Sequence, residues 1–220
     1  MATRSEAIEQ LKSEVIAAQQ AFRTAIQAYR KAAGSVPAFV RGKNAPPLRP
    51  EALTDCRVFS NRRHMMQALA QGRVGAEVGV REGNFARFML DNLDLEKLHL
   101  FELEPKQIEQ GVLDDPRTEL HGGDSSDNLS KLSGVAFDWI YIDGDHSYQG
   151  AKRDAEAAGP LLRPGGILFF NDYLHWSPYE VKPYGVPAVV HELVQQGFDM
   201  VAIALAPTGY NDVALRKPDA

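Results

Sequence analysis

The chain has one cysteine, Cys56, in 220 residues. That excludes an intrachain disulfide framework and any zinc site built on cysteines. Long apolar runs are missing as well: none approaches the ~18 residues a membrane-spanning helix needs. The opening Met-Ala-Thr-Arg-Ser-Glu lacks the apolar stretch of a signal peptide. No internal repeat and no low-complexity segment is evident. These absences lead us to expect a cytoplasmic protein with no membrane partner. What is present is ordinary for a soluble globular chain: 44% hydrophobic and 24% charged residues. The length suits one α/β domain with an appendage.

Positive charge is scarce in the larger part of the chain. Residues 1–64 hold 11 Lys/Arg against 5 Asp/Glu, a net +6, whereas residues 65–220 hold 13 against 24, a net −11. An acidic body argues against nucleic acid as a partner. The basic front packs on an acidic face, receives an anionic substrate (Arg62, Arg63 and His64 are candidates) or is simply a solvated helix face.

The chain is organised around Val74-Gly-Ala-Glu-Val-Gly-Val-Arg-Glu-Gly83. Val74 to Glu77 reads as the end of a buried strand, Gly79 and Gly83 as a tight turn, and Asn84 to Leu93 as a helix. Glycine lets backbone approach a ligand, and a helix N-terminus offers unpaired N–H groups. The spacing is E-x-G-x-x-x-G and not the G-x-G-x-x-G of dinucleotide sites. Glu77 would repel a pyrophosphate and suits a ligand with a cationic amino group.

Around this stretch the elements alternate. Thr3 to Lys31 reads as a helix with a capping-box start (Thr3, Glu6) and an a/d stripe of Ile8, Leu11, Val15, Ala18, Phe22, Ala25 and Tyr29. That stripe packs on the chain's own domain or on a second subunit, giving a homo-oligomer. Residues 34–59, with Pro37, Pro46, Pro47 and Pro50, read as a linker or lid, and 60–220 as the catalytic domain. Strands are expected at 98–105, 117–121, 137–142, 166–170, 198–206 and 212–216, with helices between most of them. This pattern predicts a Rossmann-like, seven-stranded, mostly parallel sheet with one reversed strand, helices on both faces and an N-terminal helical extension.

Polar residues recur where strands end, and in open α/β sheets ligands bind there. Glu102, with Glu104 as the alternative, can accept hydrogen bonds from ribose hydroxyls. Asp143 closes the strand at 137–142. Asn171 and Asp172 close the next, and strand neighbours would bring these three together. Oxygen donors with no cysteine in reach suit Mg²⁺ or Ca²⁺. His146 follows directly, and its ordinary pKa of ~6.5 suits a general base. Asp145 is either a second base candidate or a metal ligand, and His175 beside Trp176 a third base candidate or a packed residue. Tyr148 and Tyr173 are candidates for the pocket wall.

Glu77-Val-Gly-Val-Arg-Glu-Gly83, Tyr141-Ile-Asp-Gly-Asp-His-Ser-Tyr148 and Leu162-Arg-Pro-Gly-Gly-Ile-Leu-Phe-Phe-Asn-Asp-Tyr173 occur in an order that resembles class I S-adenosylmethionine-dependent methyltransferases. The flavour is that of metal-dependent O-methyltransferases of the macrocin O-methyltransferase and cephalosporin hydroxylase-like group. The resemblance implies S-adenosylmethionine bound by Glu77, Gly79, Gly83, Glu102 and Asp143. It places Asp124, with Ser125 as a second candidate, beside the adenine; a plain Gly-Asp turn is the competing account of those two. It further implies Mg²⁺ on Asp143, Asn171 and Asp172, and methyl transfer to a hydroxyl of a small metabolite such as a sugar or phenol. Some relatives carry two acids where this chain has Asn171-Asp172. The fold also supports non-catalytic binding proteins and other chemistries, so those alternatives stand beside the methyltransferase reading.

Overall fold

The computed structural model describes residues 4–219. They divide into two compact units, one up to residue 42 and the other from residue 43 on. The first contains α1 (Arg4–Ala33) and α2 (Ala38–Arg41). α1 is the expected helix: thirty residues without Gly or Pro, halted at Gly34, whose φ of +70° is left-handed. The cap expected at Thr3 lies outside the described residues. No residue of α1 is buried, and Ile8, Leu11, Val15 and Tyr29 are all exposed. No described helix is long and apolar enough to cross a membrane.

The second unit carries β1 (Arg57–Phe59), α3 (Arg62–Leu69), β2 (Val74–Val78), α4 (Asn84–Asn92), β3 (Lys97–Glu102), α5 (Gln110–Leu113), β4 (Thr118–Gly122), α6 (Ser125–Lys131), β5 (Phe137–Ile142), α7 (Tyr148–Ala158), β6 (Leu162–Phe170), β7 (Trp176–Ser177), β8 (Lys182–Pro183), α8 (Val186–Gln195), β9 (Asp199–Ala204) and β10 (Asp212–Arg216). Eight strands form one sheet in the order β1-β9-β10-β6-β5-β2-β3-β4, and β7 and β8 pair separately. β10 runs antiparallel to both β6 and β9, which is the expected reversed strand. The sheet has one strand more than expected. β1 adds in parallel to β9, with Arg57 opposite Ala202. It is three residues long and has no buried position, so it shows no alternation to read.

The sheet is covered on both faces. Trp139 and Tyr141 point to one, against Met65, Met66, Phe85 and Met89; Ile140 and Ile142 point to the other, with Phe101, Ala151, Ala155 and Val190. That is the period-2 alternation of a strand buried on both sides. Gly75 is required by this packing: a Cβ there would meet the Trp139 ring at 2.1 Å.

Some boundaries differ from the sequence reading. The Arg163-Pro-Gly-Gly166 turn is absorbed into β6 as an irregularity in its pairing with β5. α7 starts at Tyr148 behind a Ser147 cap, not at Lys152; the Ser147 hydroxyl accepts from the Gly150 N–H at 3.0 Å. Residues 46–49, part of the expected linker or lid, are bonded to α8. Arg49 Nε donates to the Val194 carbonyl at 3.0 Å and Gln195 Nε2 to the Pro47 carbonyl at 2.6 Å.

Candidate active site

Strand order fixes where a ligand can go. From β2 the chain winds outward through β3 and β4; from β5 it winds the other way through β6. The crevice is at the C-terminal ends of β2 and β5, where the order reverses. A cavity of about 770 Å³ opens there, lined among others by Glu77, Gly79, Glu102, Asp124, Ser125 and Asp143. None of residues 43–59 lines it.

Gly79 makes the crevice possible. Its φ is +83°, and a Cβ would lie 2.2 Å from the Asp143 carbonyl oxygen. Its N–H donates to the Phe101 carbonyl at 2.9 Å, while the Asp143 N–H donates to the Val78 carbonyl at 2.7 Å. Backbone from β2, β3 and β5 therefore meets at this point. Gly83 does not line the cavity; it sits in the left-handed region as the N-cap of α4.

Glu77 is 1% exposed, and its Oε2 has no hydrogen-bond partner among the described residues. Burial pushes its carboxyl well above the ordinary range; Asp143 adds to this and Arg62 opposes it. A buried, unpartnered carboxylate oxygen facing a cavity is unfavourable alone and fits a cationic ligand group. Glu102 is the opposite case. Burial would raise it, but N–H donors of Glu104, Arg81 and Val80 hold it below its ordinary value. Oε2 takes Val80 at 2.8 Å and Arg81 at 2.6 Å, and Oε1 takes Glu104 at 3.0 Å. Between Glu102 and Glu104, it is Glu102 that pins the glycine turn. Asp124 caps α6, accepting from the Asp127 N–H at 3.0 Å, and lines the cavity too. Asp124 thus caps a helix and borders the cavity at once. Ser125 donates to Asp154 Oδ1 at 2.6 Å.

Beside the cavity lies a second group. His146 Nε2 is 3.2 Å from Asn171 Oδ1, 3.5 Å from Asp143 Oδ1 and 3.6 Å from Asp172 Oδ2. Three oxygen atoms thus lie around the His146 nitrogen, which stands between them. Burial lowers the His146 pKa, but Asp143, Asp172 and Asn171 outweigh it and raise it. Burial lifts Asp172 to about 6, with Asp143 adding and His146 opposing. Asp172 also has φ +56°, a rare conformation for a side-chain-bearing residue. His146 stacks on Tyr184 at 4.7 Å. Asp145 lines the cavity, but its carboxylate turns to Ser147, accepting from its N–H at 2.9 Å and its hydroxyl at 2.7 Å. His175 is exposed. Tyr148 and Tyr173 do not line the cavity: they bond Glu192 and His191 of α8 at 2.8 and 2.5 Å.

Sequence reasoning missed the floor beneath this group. Asp212, 2% exposed, accepts from the Tyr141 hydroxyl at 2.6 Å and from Asn171 Nδ2 at 3.1 Å. Burial lifts its carboxyl to about 7, against the Tyr141 hydrogen bond. Arg62 donates to the Tyr141 hydroxyl at 3.2 Å, lies 3.6 Å from Asp143 Oδ2 and stacks over Phe85 at 4.3 Å. It is a cavity residue tied into the carboxylate cluster. Arg63 instead lies over Phe88, and His64 bonds Ser60 at 2.7 Å.

Comparison with known proteins agrees with this geometry. A family model described as a methyltransferase domain matches residues 76–173. No curated protein matches the chain. Among solved structures, the N-methyltransferase NodS from Bradyrhizobium japonicum WM9 is similar at 16% identity, with 72% of this chain and 95% of that chain covered and a TM-score of 0.55. A putative O-methyltransferase from Klebsiella pneumoniae is similar at 20% identity, covering 72% and 78%, with a TM-score of 0.54. MycE, a methyltransferase of the mycinamycin biosynthetic pathway solved with Mg and SAH, is similar at 18% identity, covering 71% and 48%, with a TM-score of 0.53. The segment matched by the methyltransferase-domain model holds the glycine turn and the ends of β2 and β5, and the fold of the chain is the one these methyltransferases share.

Proposed function

We propose that this enzyme is an O-methyltransferase that methylates a hydroxyl of a small metabolite, a sugar or phenol, with Mg²⁺ assisting. The observation that carries this reading is the convergence of Asp143, Asn171 and Asp172 oxygens on His146 beside the cavity. The likeness to MycE, whose complex holds Mg and SAH, supports the same reading.

The residues divide the work. Glu77 accepts the ammonium of the cofactor's amino-acid end, which relieves its lone buried oxygen. Glu102 offers its remaining lone pairs to the ribose hydroxyls, and Asp124 and Ser125 border the adenine side. When bound, S-adenosylmethionine supplies the methyl group on a sulfonium. His146 Nε2 takes the proton of the acceptor hydroxyl as the oxygen attacks, and Asp143 and Asp172 stabilise the imidazolium that results. Asp143, Asn171 and Asp172 would hold Mg²⁺, which lowers the pKa of a substrate hydroxyl. The chain's main contribution is positioning, since oxygen, methyl carbon and sulfur must be nearly collinear.

A thermal-shift matrix tests the proposal. S-adenosylhomocysteine at ~100 times its dissociation constant should stabilise by about 2.7 kcal/mol, a rise of roughly 5–10 °C for a chain of this size. NAD should give none. Mg²⁺ should add to the rise in the wild type and not in Asp172→Ala; an unchanged Mg²⁺ response in the variant would remove the metal from the proposal.

We also propose that α1 pairs with a second copy of the chain through Ile8, Leu11, Val15 and Tyr29. Deleting residues 1–32 should then lower the mass seen by light scattering to fewer protomers. The same mass after deletion would rule this interface out.

A further inference from the structure

We propose that His99, Glu119 and His121 form a Zn²⁺ site at the outer edge of the sheet, separate from the carboxylate cluster. The parallel register of β3 and β4 sets His99 opposite Glu119 and Phe101 opposite His121. Steps of two along each strand keep the three side chains on one face. His99 Nδ1 lies 3.0 Å from His121 Nε2 and 3.8 Å from Glu119 Oε1, and His121 Nε2 lies 3.6 Å from the same Glu119 oxygen. Zinc bonds of ~2.0–2.2 Å in a tetrahedron separate neighbouring ligand atoms by about 3.3–3.6 Å. The three observed spacings bracket that value, so sub-ångström adjustments close the site.

The donor set selects the ion. Two imidazoles and one carboxylate, with a fourth position left to water, suit Zn²⁺; Mg²⁺ prefers oxygen alone. The ligands are held in place. His121 stacks on Phe101 at 4.5 Å, and His99 meets Phe137 edge-on at 5.1 Å. Glu119 Oε2 lies 3.6 Å from Lys97 Nζ, which leaves Oε1 turned to the rings. Without an ion the two facing ring nitrogens share a hydrogen bond, and a change of tautomer moves the shared proton to the far nitrogen of its ring and turns both lone pairs to the metal. Glu119 is exposed and His121 half-buried, which gives the ion a path from solvent.

None of the three lines the cofactor cavity. The site instead clamps the edge strand β4 to β3. β4 leads directly into Gly123, Asp124 and Ser125, which do line the cavity, so the bound ion would hold that wall in register.

The test uses the untagged full-length protein, stripped with a chelator and titrated with Zn²⁺ by calorimetry in excess Mg²⁺. One Zn²⁺ per chain should bind, and Co²⁺ in its place should give the visible bands of a tetrahedral nitrogen–oxygen site. His121→Ala should weaken binding by at least ~100-fold, since even outer partners of a metal site contribute 10–100-fold. Glu119→Gln, at an exposed position that does not threaten folding, should weaken it by about tenfold or more. Asp172→Ala should bind as the wild type does. The proposal is overturned if the wild type shows no saturable Zn²⁺ binding. It is also overturned if Glu119→Gln binds like the wild type, or if Asp172→Ala is the variant that loses the ion.

Discussion

His146→Ala should lower kcat for methyl transfer by ~10²–10⁴-fold, the range a positioned general base contributes. The assay follows transfer from S-adenosylmethionine to a hydroxylated acceptor that the wild type turns over. Cofactor binding should be largely kept, because His146 does not line the cavity and touches it only through Asp143, 3.5 Å away. The S-adenosylhomocysteine shift of the variant should therefore match the wild type. This split separates a base from a structural residue: loss of packing on Tyr184 would lower the melting temperature with and without ligand alike. Removing the imidazole also takes away the ring that lies between Asp143 and Asp172 and stacks on Tyr184, so a modest fall in basal stability is expected too. His175→Ala should change kcat by less than about twofold, as an exposed side chain away from the cluster does. If His146→Ala kept its kcat within a few fold, the base would have to be sought elsewhere in the site.

The site was legible to the extent that its residues sit at strand ends. Glu77, Glu102, Asp143, Asn171 and Asp172 each follow an apolar run, and strand topology alone brings such ends together. Parallel pairing of β5 with β6 then fixes Asp143 near Asn171. Asp212 left no comparable trace. It opens a strand, does not close one, and it reaches the site only because β10 runs antiparallel. In the sequence it counts only as the first residue of the strand expected at 212–216, although its bonds to Tyr141 and Asn171 tie it to the site. Tyr141 was similarly hidden in an apolar run, since its ring belongs to the core and only its hydroxyl reaches the cluster. Arg62 was visible as a basic residue at a helix start, but its partners lie 79 and 81 positions away. α6 was missed because Ser125-Ser-Asp-Asn has weak helix propensity, and the Asp124 cap and packing on α7 override it.

The second large effect concerns Gly79. Gly79→Ala should abolish the S-adenosylhomocysteine shift and destabilise the fold, and the two consequences have different origins. A side chain at φ +83° costs on the order of 1–3 kcal/mol whatever surrounds it. The clash is separate. The new Cβ would meet the Asp143 carbonyl at 2.2 Å and Gly144 Cα at 2.8 Å, both backbone atoms that cannot rotate away. The β5 end must shift, and it carries Asp143 and the loop to His146. Gly209→Ala supplies the control: its φ is +82°, and an added Cβ would meet nothing within 4 Å. It should show the conformational cost alone, a fall of roughly 2–12 °C at 2–4 °C per kcal/mol, with cofactor binding intact. The excess loss in Gly79→Ala then measures what the close approach of β2 and β5 contributes. Equal melting temperatures and equal ligand shifts in the two variants would mean that the crevice tolerates a methyl group and that Gly79 is needed for its turn only.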